Sequence, residues 1–71
     1  MKLGKYQHYK TKKFYRVIGM GKHSETLEEL VIYEALYENP KSKLWVRPLK
    51  MFLEKVTVNG KKVARFKFIG K

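Results

Sequence analysis

The chain contains no cysteine, and for 71 residues that omission decides how it can be held together. A domain this small buries a modest share of its surface, and many of its size lean on a disulfide or a metal. Neither a disulfide nor a thiolate metal site is open to it. What remains is an apolar core, association with a partner chain, or both. The aromatic content suits the core: one Trp, five Tyr and four Phe, each burying a large area. A single domain over residues 1–71 is expected.

The charge is the second constraint. The formal net charge is +11, and it is unevenly spread. Residues 1–24 and 55–71 carry Lys and Arg without one acid, whereas all six Glu fall between 25 and 54. If the two basic ends meet, they form a face that attracts nucleic acid or another anionic surface. The plain alternative is a lysine coat that keeps the chain soluble, since 14 of the 17 cations are Lys. No signal-peptide-like apolar stretch opens the chain and no apolar run is long enough to span a bilayer. A cytoplasmic protein without a membrane role is the expectation.

Local patterning favours strands. No internal repeat or low-complexity tract is apparent. Residues 6–10 and 14–20 read as a hairpin across Thr11-Lys12-Lys13, with Phe14, Arg16 and Ile18 opposing Tyr15 and Val17. Gly19 and Gly21 mark a bulge or sharp bend. Residues 30–37 fit a strand by their Val, Ile and Tyr content. They also fit a helix started by a capping box at Thr26, with Leu27, Leu30, Val31 and Ala35 as its stripe. Leu44-Trp45-Val46 reads as a strand stopped at Pro48, followed by one helical turn over 48–53. Asn59-Gly60 predicts a hairpin over 56–63, its second strand running on through Arg65-Phe66-Lys67-Phe68-Ile69. The sum is a mainly β chain: a small barrel or roll of five to six short antiparallel strands with one helical turn.

Catalytic signatures are thin. His23, Ser24 and Glu25 hold the residue types of a hydrolytic triad, but adjacent residues diverge, whereas triads assemble from separate segments. Ser24, Glu25 and Thr26 are better placed as turn builders through bonds to nearby backbone. His8, His23 and Glu25 do not share a recognised metal spacing, so no metal or cofactor is assigned. Gly19-Met20-Gly21 lacks the context of a phosphate loop. Trp45 and Arg47 share one strand face, as in a binding hot spot. The competing assignment is a core Trp beside an Arg paired to a Glu.

The chain resembles the family called domain of unknown function 1653. The resemblance rests on Gly4, Tyr6, His8, Tyr9 and Lys10, then His23-Ser24-Glu25-Thr26, Val31, Tyr33 and Leu36-Tyr37. It continues through Trp45-Val46-Arg47-Pro48, Met51-Phe52 and Arg65-Phe66, in family order along almost the whole chain. Thr11 and Leu27 stand where Gly is usual, which alters the first turn and argues against a tight glycine-dependent turn at 27. The resemblance implies an SH3-like barrel or roll and a strand over 30–37. It implies no established activity. Of the basic residues, the pattern includes only Lys10, Arg47 and Arg65, so the basic excess belongs to this chain.

Three functional readings follow. The first is a non-enzymatic module binding nucleic acid or an acidic protein surface through Lys10, Lys12, Lys13, Arg16, Lys61, Lys62, Arg65 and Lys67, with Tyr6 or Tyr9 free to stack. The second is a pocket for a small molecule or peptide formed by His8, His23, Glu25, Tyr33, Trp45 and Arg47. The third is a domain that associates through an open strand edge, with a partner or with itself, its oligomeric state left open. Whether Glu25 and Arg47 pair with each other separates framework from site.

Overall fold

The computed structural model describes all 71 residues. Seven strands form in the order β1 (Gly4–His8), β2 (Phe14–Lys22), β3 (Glu29–Ala35), β4 (Leu44–Pro48), β5 (Lys55–Val58), β6 (Lys61–Ala64) and β7 (Phe66–Gly70). One helical turn, α1 (Leu49–Phe52), follows Pro48. β1 to β4 form an antiparallel meander, and β7 returns to pair with β1, giving the order β4-β3-β2-β1-β7. β5 and β6 form a separate hairpin.

The strand over 29–35 resolves the helix–strand ambiguity. Its alternation puts Val31, Tyr33 and Ala35 inside, each nearly inaccessible. A helix over the same residues would scatter them around its axis. Tyr6, Val17 and Phe66 complete the inner face of the sheet, and Phe52 caps it from α1. The Phe52 and Phe66 rings stack at 4.2 Å. The sheet curls strongly around them. Tyr33 on β3 and Phe66 on β7 are three strands apart, about 14 Å in a flat sheet, yet their ring centroids lie 5.9 Å apart.

Three expectations are corrected. There are seven strands rather than five or six. The edge strands β4 and β7 do not pair, so the hydrogen-bonded sheet stays open where a barrel would close. The strand after Asn59-Gly60 does not run on to Ile69. It ends at Ala64, and Phe66–Gly70 pairs with β1 instead. Arg65 is the switch point: its N–H donates to the Glu54 carbonyl, and its own carbonyl accepts from the Tyr9 N–H. The switch turns Phe66 into the core.

The bulge signalled by the glycines falls between Val17 and Gly19, where Ile18 is the extra residue. Asn59 and Gly60 both have positive φ, as a two-residue hairpin turn of this class requires.

Candidate functional site

Both loops of the β1–β2–β3 meander are the same turn. In the first, the His8 N–H donates to the Lys13 carbonyl and the Lys12 N–H to the His8 carbonyl, both at 3.0 Å. The His8 Nδ1 accepts the Lys10 and Thr11 N–H groups at 3.2 and 3.4 Å. The Lys13 N–H donates to Thr11 Oγ1. In the second, the His23 N–H donates to the Glu28 carbonyl and the Leu27 N–H to the His23 carbonyl. The His23 Nδ1 accepts from Glu25 and Thr26 at 3.1 and 3.4 Å, and the Glu28 N–H donates to Thr26 Oγ1. Lys12 and Leu27, at the same place in each, both have φ 63°.

The chain therefore does contain an internal repeat, of a six-residue His-x-x-Thr turn at 8–13 and 23–28. The signal was present in the sequence as His8–Thr11 and His23–Thr26. Leu27 does not prevent the tight turn. The imidazole and threonine bonds hold the left-handed residue in place despite its Cβ. The imidazole, rather than Ser24 or Glu25, is the main builder. A ring committed to its own backbone at Nδ1 is also poorly placed to serve as a base for the adjacent Ser24.

The two turns lie at opposite ends of β2, which separates the members of the candidate motif pocket. His23 and Glu25 are exposed at one end, and His8 is half-buried at the other. Tyr33 is in the core. Trp45 packs against the core, and its Nε1–H donates to the Ser42 carbonyl. No concavity is lined by residues of both motifs. Glu25 and Arg47 do not pair, nor does Arg47 pair with any other Glu, since the two ion pairs are Lys43–Glu34 and Arg65–Glu54. The Arg47 guanidinium lies against the Phe66 ring instead.

His8 meets the edge of the same ring system, its centroid 5.1 Å from that of Phe66. Burial holds the His8 pKa below its ordinary value, helped by the positive charges of Arg65, Arg47 and Lys10. A neutral imidazole is what the turn requires, because only an unprotonated Nδ1 accepts hydrogen bonds. Tyr15 is pushed well up, first by burial and then by its hydrogen bond to Tyr37. It therefore stays a phenol, 2.8 Å from the Tyr37 hydroxyl.

The candidate basic residues are only partly gathered. The two basic ends meet, because β1 pairs with β7. Between the first turn and the β5–β6 hairpin runs a groove of about 320 Å³. His8, Tyr9 and Lys12 line it on one side, Val58 and Val63 on the other, and Lys67 also faces it. Lys10 is exposed on the same turn, and Lys61 shares a face of β6 with Val63. Others diverge. Lys13 lies over the Tyr37 ring at 4.4 Å. Arg16 is opposite Lys5 on the outer sheet face, and Lys62 points to the other side of its hairpin. Arg65 is held by Glu54 at 2.6 Å. Asn59-Gly60 signals the hairpin itself, but its placement beside the first turn had no sequence signal, since that depends on the pairing of β1 with β7 across the whole chain.

No helix is long and apolar enough to cross a membrane. No curated protein matches the chain. The crystal structure of a DUF1653 protein from Bordetella bronchiseptica is similar, with 30% identity and a TM-score of 0.90, covering 99% of this chain and 88% of that one. The family described as Protein of unknown function (DUF1653) matches residues 4–68, including both turns and the Arg47–Phe66 contact. By these matches the chain belongs to the DUF1653 family.

Proposed function

We propose that the chain is a non-enzymatic binding module that takes an anionic partner, nucleic acid, in the groove between its first turn and its β5–β6 hairpin. The observation that carries this is the pairing of β1 with β7, which brings Lys12 and Lys67 to one groove beside Tyr9. Only two of the 17 Lys and Arg side chains are in ion pairs, so the cations around the groove are free to meet phosphate. An SH3-like roll is the architectural reading that the curl of the sheet supports. A cytoplasmic setting fits a cysteine-free chain.

Each neutralised phosphate releases counterions, so affinity should fall steeply as salt rises. The test titrates labelled DNA and RNA at two salt concentrations against two triple variants of equal net charge. Replacing Lys12, Lys61 and Lys67 by Glu should abolish binding. Replacing Lys22, Lys41 and Lys50 by Glu should weaken it only slightly. Equal losses in the two variants, or no binding at low salt, would overturn the proposal.

A second reading rests on β4. It is an open edge whose outer face exposes Leu44 and Val46 by 56% and 62%. Such an edge accepts another strand. A solution mass that stays monomeric at high protein concentration would count against it.

A further inference from the structure

The chain builds one backbone turn twice and gives the two copies opposite surfaces. The first copy reads His8-Tyr9-Lys10-Thr11-Lys12-Lys13, and the second reads His23-Ser24-Glu25-Thr26-Leu27-Glu28. The shared His and Thr make the turn. The remaining positions are an aromatic and three lysines in one copy, and a serine, two glutamates and a leucine in the other. Whatever distinguishes the first copy is therefore not needed to form the turn.

Tyr9 is the distinctive side chain. Its ring stacks on His8, with centroids 5.1 Å apart and planes 28° from parallel. His8 is itself fixed, by two backbone donors at Nδ1 and by the edge contact with Phe66. The Tyr9 N–H is tied to the Arg65 carbonyl. The result is a half-buried aromatic platform with little freedom to lose on binding, lining the groove that Lys12 and Lys67 also line. A groove of about 320 Å³ lies at the small end of ligand-site volumes. It has room for one planar group beside Tyr9. Stacking on an aromatic side chain flanked by cations is how unpaired bases are held.

We infer that the groove binds single-stranded nucleic acid, with one base stacked on Tyr9 and the flanking phosphates at Lys12 and Lys67. This rests on the nucleic-acid reading above and adds the strandedness and the contact. A duplex buries its base faces and offers only phosphate, so it should bind more weakly.

The experiment measures fluorescence anisotropy at low salt with a labelled single-stranded oligonucleotide. Its duplex and inorganic polyphosphate are the comparisons. The wild-type chain should bind the single strand more tightly than either. Tyr9→Ala should weaken single-strand binding by about tenfold or more, leave duplex and polyphosphate binding unchanged, and be rescued by Tyr9→Phe. A grafted variant carrying Tyr9→Ser, Lys10→Glu, Lys12→Leu and Lys13→Glu should still unfold cooperatively, because the second turn folds with those residues, at a midpoint lowered by loss of the Tyr9–His8 and Lys13–Tyr37 contacts, and should lose single-strand binding. If Lys12→Glu weakens binding but Tyr9→Ala does not, or if duplex or polyphosphate binds as tightly as the single strand, the stacking inference fails and the basic-groove reading survives. If no polyanion binds, both fail.

Discussion

Arg47 and Phe66 sit on the two edge strands of the sheet, yet the guanidinium carbon lies 5.5 Å from the ring centroid. Four strand spacings in a flat sheet would separate those strands by about 19 Å. The contact spans the open side of the roll without a backbone hydrogen bond. Replacing Arg47 by Ala should destabilise the chain by about 1–2 kcal/mol, through loss of the cation–π contact and of the packed stem. Arg47→Lys should recover part of this. Chemical denaturation of the three proteins measures it, and an unchanged Arg47→Ala midpoint would show that the contact contributes nothing.

Stability should depend on pH through His8. Its folded pKa lies below the ordinary value, so the folded state favours the neutral ring. The unfolded chain then binds the proton more readily, and stability falls as acid is added. The contribution is complete above about pH 6.5, the unperturbed value, and is lost as pH drops through the lowered folded value. His8→Gln should reduce the change in melting temperature between pH 8 and pH 5. A slope identical to that of the wild type would exclude His8 as its source.

Leu27→Gly should stabilise the fold. Leu27 holds φ 63° and is 65% exposed, so the change relieves left-handed strain and gives up little burial. The strain is about 1–2 kcal/mol, and the extra freedom of unfolded glycine offsets part of it. A net gain of about 0.5–1 kcal/mol is expected in denaturant melts. A loss would mean that the Leu27 side chain has a contact of its own.

Gly4→Ala should do the reverse. Gly4 has φ 135°, and a Cβ there would lie 2.5 Å from the Gly70 carbonyl oxygen. The clash is with backbone, so it is relieved only by shifting β1 from β7. A cost of about 1–3 kcal/mol is expected, together with faster amide exchange in β7. Unchanged exchange at Phe68 and Gly70 would argue that the strands part elsewhere.

The features legible in the sequence are those encoded by neighbours. Asn59-Gly60 announces its hairpin, Gly19 and Gly21 announce a bulge, and Pro48 announces a helical turn ending in Phe52. The departure of Phe66 to β1 has no local mark, because Phe66-Lys67-Phe68 alternates equally well in either pairing. Alternation along β4 puts Arg47 on the same face as Trp45, as the sequence predicts. Its companion is an aromatic ring nineteen residues on in the sequence rather than a glutamate. A hydrogen-bonded structural histidine is the expected state at positions 8 and 23, in preference to metal or catalytic chemistry that draws on separate segments, and both rings are hydrogen-bonded. Their bonds are to backbone two and three residues ahead, and the mark of this in the sequence is the His-x-x-Thr spacing that occurs twice.

The pairing of the first strand with the last has a kinetic consequence. Pairing distant parts of a chain slows folding, because closing so long a loop costs entropy before any contact rewards it. The groove between the first turn and the β5–β6 hairpin exists only where the two ends of the chain have met. A ligand that occupies it draws the population toward the finished state. Any ligand of the groove would thus be linked to the joining of the two chain ends.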